Sequence, residues 1–181
     1  MKGVVFTEFM NLVDAKLSPA VTEAVVEKAE LPNGGAYTAV GTYDVAEMVR
    51  LVGCLSDETG LPAADLLYEF GRHLLWRFAA LYPQYFEEAG SVFAFLDDIE
   101  DKIHVDVRKL YADTELPRFE TAYPAADQMT LRYSSPRGLV KVCAGLIDAT
   151  IEQFEESIEV ELDLIKEDGT EALFTLKKVP Q

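Results

Sequence analysis

Cysteine is scarce in this chain of 181 residues: only Cys54 and Cys143 occur, and they form no Cys-x-x-Cys pair. That excludes a cysteine-held zinc cluster and a prosthetic group tethered through paired cysteines. Both thiols sit in apolar, helix-like surroundings, where a core role is the ordinary one. Histidine is equally rare. His73 and His104 lie far apart, so no helix carries a His pair at i, i+4. Basic residues number 16 against 32 acidic ones, a formal charge of −16. A surface that negative repels nucleic acid and anionic membranes, and leaves basic protein surfaces as possible macromolecular partners. No stretch reaches the roughly 18 consecutive apolar residues of a membrane helix. Acidic Glu8 interrupts the N-terminus, so no signal peptide is read there and the expected location is the cytoplasm. Gly-rich phosphate loops, nucleophile–base pairs and multi-His motifs are missing, so the sequence carries no catalytic constellation. Internal repeats and low-complexity linkers are missing as well.

What is present is apolar and ordered. Hydrophobic residues make up 49% of the chain, which excludes disorder. The length favours one domain with a sizeable core. Val5, Phe6, Phe9, Leu12 and Val13 recur at helical spacing, with Glu8, Asn11 and Asp14 between them, and predict an amphipathic helix over 2–17. Ser18-Pro19 starts a second helix reaching about Ala29. Asp44, with Glu47 three residues on, reads as a capping box opening a third, which Gly60 ends. Pro62 opens a longer helix that closes in the aromatic corner Tyr82–Phe86. A further helix over 91–111 carries His104. After Pro117 the pattern changes to strands over 118–123 and 128–134, then a helix over 136–155 and strands over 157–165 and 172–179. Helices followed by a mostly antiparallel four-stranded sheet make an α+β plan.

The chemistry concentrates in Tyr133-Ser134-Ser135-Pro136-Arg137. In an extended segment, Tyr133, Ser135 and Arg137 share one face and offer a phenol, a hydroxyl and a guanidinium to a single acceptor. The Arg fork suits a carboxylate. The bland alternative is a strand end where Ser135 caps a helix and Pro136 takes its first position. His104 has a bland reading too, as a hydrogen-bonded interior histidine.

His104, Pro117, the Tyr133-x-Ser135-x-Arg137 motif and the opening Met1–Phe9, in that order, resemble the heme–nitric oxide/oxygen-binding (H-NOX) family. That family includes bacterial gas sensors and the heme domain of soluble guanylate cyclase. The resemblance covers the whole chain. It implies noncovalent heme b between two parts of a single domain, 1–60 and 61–181. It also implies His104 as the iron ligand, and Tyr133, Ser135 and Arg137 on the propionates. Pro117 would pack against the heme and help bend it. The resemblance places Val142 where oxygen-binding members carry a distal Tyr, with Val5, Phe9, Leu74, Phe78 and Leu146 around it. These side chains are apolar, and their bland reading is ordinary helix core. Bound O₂ gains negative charge and needs a donor, whereas NO does not. The expected function is therefore a cytoplasmic NO sensor that also admits CO and signals by release of His104. Its partner would be a separate histidine kinase or cyclic-di-GMP enzyme. The rivals are an O₂-binding member using another donor such as Tyr68 or Tyr82, a heme-free acidic interaction module, and, weakest, a heme enzyme. The family's Cys/His zinc site is not carried over, because no Cys or His follows Cys143.

Overall fold

The structure, a computed structural model, describes residues 1–112 and 114–180. Helices come first. α1 (Gly3–Lys16) buries Phe6, Phe9 and Val13, and with them Glu8. α2 (Pro19–Ala29) starts on Ser18, whose hydroxyl accepts the Val21 N–H at 3.3 Å, with Pro19 in the first turn. α3 (Val45–Thr59) is capped by Asp44, which accepts the Ala46 N–H at 2.9 Å, and ends at Gly60 in the left-handed region. The capping box does not close. The Glu47 carboxylate turns inward instead and accepts the Tyr37 hydroxyl at 2.9 Å.

α4 (Ala63–Leu81) leads into α5 (Pro83–Ala89), a short helix made of the aromatic corner, where Phe86 stacks on Phe95 at 4.4 Å. The helix read over 91–111 is one path in three pieces. α6 (Val92–Asp98) is capped by the Ser91 hydroxyl, a π-helical turn spans Ile99–Ile103, and α7 (His104–Leu110) completes it. In the wide turn the His104 N–H reaches back to the Ile99 carbonyl, five residues earlier.

The sheet comprises β1 (Arg118–Ala125), β2 (Gln128–Ser134), β3 (Ile158–Leu164) and β4 (Glu171–Lys178), in the order β1-β2-β4-β3 with every pair antiparallel. Its inner face is Met129, Leu131 and Tyr133 from β2, with Ala172, Phe174 and Leu176 from β4, all buried at period 2. α8 (Val140–Gln153) runs between the hairpins and starts four residues later than its pattern suggests. Gly138 is the reason: with φ at 63° it breaks the helical path, and a Cβ there would lie 2.6 Å from the Asp168 carbonyl oxygen. Ser135 therefore does not cap α8; its hydroxyl accepts the Arg137 N–H at 3.3 Å within the turn.

The core has two apolar clusters. The inner sheet face, α5, α6 and one side of α8 (Val140, Cys143, Ile147, Ile151) form the first. α1 to α4 form the second, which Val142 joins from the other side of α8. α8 thus divides the interior, and α4 lies tightly against it. Gly71 and Gly145 sit where a Cβ would be 2.1 Å from the Val142 oxygen and 2.0 Å from the Tyr68 oxygen respectively.

Candidate functional site

His104 opens α7 and is buried, 8% exposed. Its Nδ1 lies 2.9 Å from the Glu100 carboxylate, one turn earlier on the π segment. Burial lowers the imidazole below its ordinary pKa, and Glu100 only partly opposes this. Burial pushes the Glu100 carboxyl up, but bonds from His104, the Phe119 N–H and Arg108 outweigh it and hold the group below the usual carboxylate range. An ionised carboxylate can only accept, so facing one at this distance Nδ1 is the nitrogen that carries the proton. Nε2 makes no hydrogen bond among the described residues, so its lone pair is free. The Phe119 ring lies 5.8 Å from the His104 ring and 5.9 Å from that of Tyr133, which links imidazole and phenol through one aromatic. Pro117 directly precedes β1 in a half-buried position.

Tyr133, Ser135 and Arg137 do not share one extended face, because β2 ends at Ser134. Tyr133 points inward from the strand, and the following turn carries the other two. That turn still gathers them. Burial raises the phenol, with the Ser135 hydroxyl and the Arg137 charge close enough to work against the shift. The Arg137 guanidinium is largely buried and contacts the Glu115 carboxylate at 3.3 Å. A cleft of about 160 Å³ opens beside it, lined also by Lys2, Thr42 and Thr114. Among the described residues, the Thr114 hydroxyl is buried there without a hydrogen-bond partner.

Val5 and Phe9 from α1, Leu74 and Phe78 from α4, and Val142 and Leu146 from α8 all meet in the second apolar cluster. The two tyrosines named as possible donors point elsewhere. The Tyr68 hydroxyl donates to Asp148 at 2.6 Å, and Tyr82 is half-exposed beside Tyr85. Cys143 is buried and burial pushes its thiol far up; Cys54 is half-buried.

Two features were not read from the sequence. One is Glu100, whose signal was available as a carboxylate four residues before His104. The other is a charge cluster in which the Glu8 carboxylate, 6% exposed, meets His73 Nε2 at 3.1 Å and Arg77 Nε at 3.0 Å. The apolar spacing of α1 sets Glu8 among its polar positions, but the structure buries it. His73 and Arg77, spaced i, i+4 on α4, were the signal for a buried acid facing them.

These residues fit a heme on three grounds. A buried neutral imidazole presents a free Nε2. A buried guanidinium already holds a carboxylate, as it would a propionate, and an orphaned hydroxyl lies beside it. An apolar cluster of aromatic and branched side chains suits the macrocycle. Among the described residues, no three His, Cys, Asp or Glu side chains gather as a separate metal site.

Comparison with known proteins agrees. The family described as Haem-NO-binding matches residues 2–162. Comparison with curated protein sequences finds no match. Among solved structures, the chain is similar to the Fe(II) unliganded H-NOX protein from K. algicida, at 37% identity and TM-score 0.94, over 100% of this chain and 98% of that one. It is similar to the H-NOX from Shewanella woodyi in the Fe(II)CO state, at 31% identity and TM-score 0.86, over 99% and 95%. An H-NOX protein from S. oneidensis in the Fe(II)NO state shares the fold at 24% identity and TM-score 0.90, over 99% and 100%. This chain belongs to the haem-NO-binding, or H-NOX, family of heme-binding gas-sensor domains.

Proposed function

We propose that this protein is a cytoplasmic NO sensor carrying noncovalent heme b in a single domain, with 1–60 as a helical part over the heme-binding remainder. The observations that carry the reading are the buried His104 with its Nε2 unengaged among the described residues, and the meeting of six side chains without a polar hydrogen in the second apolar cluster. Heme, when bound, supplies an iron that takes one protein ligand and one diatomic gas. His104 Nε2 would hold the iron, and Tyr133, Ser135 and Arg137 would hold the propionates, with Glu115 giving way on Arg137 for them. Pro117, immediately before β1, would pack against the macrocycle. Val5, Phe9, Leu74, Phe78, Val142 and Leu146 wall the gas side. None of these six side chains has a polar hydrogen to give, so O₂ is disfavoured while NO and CO are admitted. Tyr68 donates to Asp148 and Tyr82 is half-exposed, while Tyr37 and Tyr43, which pack on the same cluster, are engaged by Glu47 and by the Thr38 N–H.

His104 is also where gas binding reaches the polypeptide. Nε2 would tie the protein to the iron, so losing that tie would leave α7 and the π turn free to shift relative to the sheet. A two-state element of this kind transmits to a separate partner, a histidine kinase or a cyclic-di-GMP enzyme. The −16 charge favours a basic face on that partner. The similar structures were solved in Fe(II), Fe(II)CO and Fe(II)NO states, which suits the same ligand set here.

Visible absorption of the reduced, heme-loaded protein tests the reading. The expected spectra are unchanged in air, altered by CO, and altered by NO in the way that marks loss of the histidine ligand. A stable oxygen complex overturns the selectivity. A spectrum showing His104 retained under NO overturns the release step, and failure to take up heme overturns the whole reading.

A further inference from the structure

The Glu100 carboxylate is where three separate parts of the chain meet. It accepts from His104 Nδ1 at 2.9 Å through one oxygen, and the same oxygen accepts the Phe119 N–H of β1 at 3.1 Å. Its other oxygen meets the Arg108 guanidinium at 3.4 Å. Glu100 lies within the π turn, whose register change comes immediately before His104. Wide turns of this kind recur at functional sites because they re-aim side chains.

We propose that Glu100 is the positioning residue for the iron ligand. It fixes the His104 tautomer and ring plane, and it ties the ligand's helix to the first strand of the sheet. This rests on His104 being the iron ligand, as proposed above.

Neutral imidazole in water populates both tautomers. A carboxylate on Nδ1 admits only the Nδ1–H form, which leaves the Nε2 lone pair for the iron. Partial transfer of that proton toward the carboxylate makes the ring more basic and strengthens its bond to iron. A neutral acceptor does this less, and no acceptor does it least. The second contact adds a mechanical role. Phe119 follows Pro117 by two residues, so Glu100 couples the ligand's helix to the chain segment proposed to lean on the heme. When His104 leaves the iron, its Nδ1 remains attached to Glu100. The ring then moves with the π turn and does not swing freely. Arg108 draws charge away from the carboxylate and so tempers the effect.

The experiment uses the heme-loaded full chain and three variants: Glu100→Gln, Glu100→Ala and Arg108→Ala. Two readouts are independent of partner signalling. One is the iron–histidine stretching frequency of the reduced protein by resonance Raman. The other is the Nδ1 proton of His104 by NMR in the diamagnetic CO complex. The expected frequency order is Arg108→Ala, then wild type, then Glu100→Gln, then Glu100→Ala. The Nδ1 proton should be far downfield and slow to exchange in wild type, and should lose its protection in Glu100→Ala. His104 release under NO should quicken about tenfold in Glu100→Ala, the scale on which partners behind a metal ligand act. A merely structural Glu100 would lower the melting temperature and leave frequency and proton signal unmoved, which overturns the proposal. Glu100→Gln keeps the shape of the side chain and so guards against a folding failure in Glu100→Ala. If the wild type shows a heme spectrum but no iron–histidine mode, the ligand assignment itself falls. An intact mode that ignores Glu100 sinks only the present inference.

Discussion

At the scale of single residues, the proposed gas selectivity rests on Val142. Its side chain is 9% exposed, on the side of α8 that joins α1 and α4. A Tyr there brings a hydroxyl to a space otherwise walled by hydrocarbon. A hydrogen bond to a charged acceptor contributes about 1.5–3 kcal/mol, against an overpacking cost of about 1–3 kcal/mol for the larger ring. The ring strains the fold with or without gas, whereas the hydrogen bond acts only on bound O₂. Val142→Tyr is therefore expected to raise O₂ affinity at least about tenfold while lowering stability. Val142→Phe has the same bulk without the hydroxyl and should lower stability without the gain in affinity. Oxygen titration of both reduced variants checks this, and equal behaviour would remove hydrogen bonding from the account. The buried stripe of α1, with Phe6, Phe9 and Val13, was legible in its apolar spacing. Glu8 and Glu100 were not, because a charge looks the same in sequence whether it faces water or a buried partner. What decides is a contact across α1 and α4, or across a turn whose widening no local pattern announced.

At the scale of elements, the fit of α4 against α8 sets the spacing of the proposed gas pocket, since both helices supply residues assigned to its walls. The approach is backbone on backbone. A Cβ at Gly145 would lie 2.0 Å from the Tyr68 carbonyl oxygen and 3.0 Å from the Arg72 nitrogen, and neither atom belongs to a flexible side chain that can swing away. Gly145→Ala must part the helices, at a cost of about 3 kcal/mol, the upper end for overpacking. Gly53 in α3 has nothing within 4 Å of the same construction. There Ala relieves the helix of a glycine and is expected to stabilise by about 0.5–1 kcal/mol. Urea midpoints of the two variants should move in opposite directions, and a common direction would show that helix propensity, not contact, governs both sites. Element order and the places of the strands followed from periodicity and turn signals, helped by the wholly buried face of each strand of the β2–β4 pair. The start of α8 did not. Gly138 sits between two helix-compatible stretches, and its left-handed conformation depends on packing against the Asp168–Gly169 turn, far along the chain.

At the scale of the whole molecule, the question is whether the first 60 residues are a separable cap. The second apolar cluster takes Phe70 and Leu74 from α4 and Val142 from α8 along with α1 to α3, so the boundary near 60 crosses a shared core. The Glu8–His73–Arg77 cluster crosses it again. The magnitudes differ sharply by which side is removed. Glu8 is the buried member, while His73 and Arg77 are 21% and 44% exposed at their side chains and can turn to water. Glu8→Gln therefore forfeits charge-assisted hydrogen bonds alone, about 1–2 kcal/mol. The combined His73→Ala and Arg77→Ala variant strands a buried carboxylate, at about 3–5 kcal/mol. Adding Glu8→Leu to that pair should recover most of the loss, because no charge is then left to desolvate. In every variant, far-UV and tyrosine signals should fall in one coincident urea transition, since the shared core unfolds as a unit. Two separated transitions in the His73→Ala, Arg77→Ala protein would mean that α1 to α3 hold together without α4. The charge cluster would then be the link that joins α1 to α4 across that boundary.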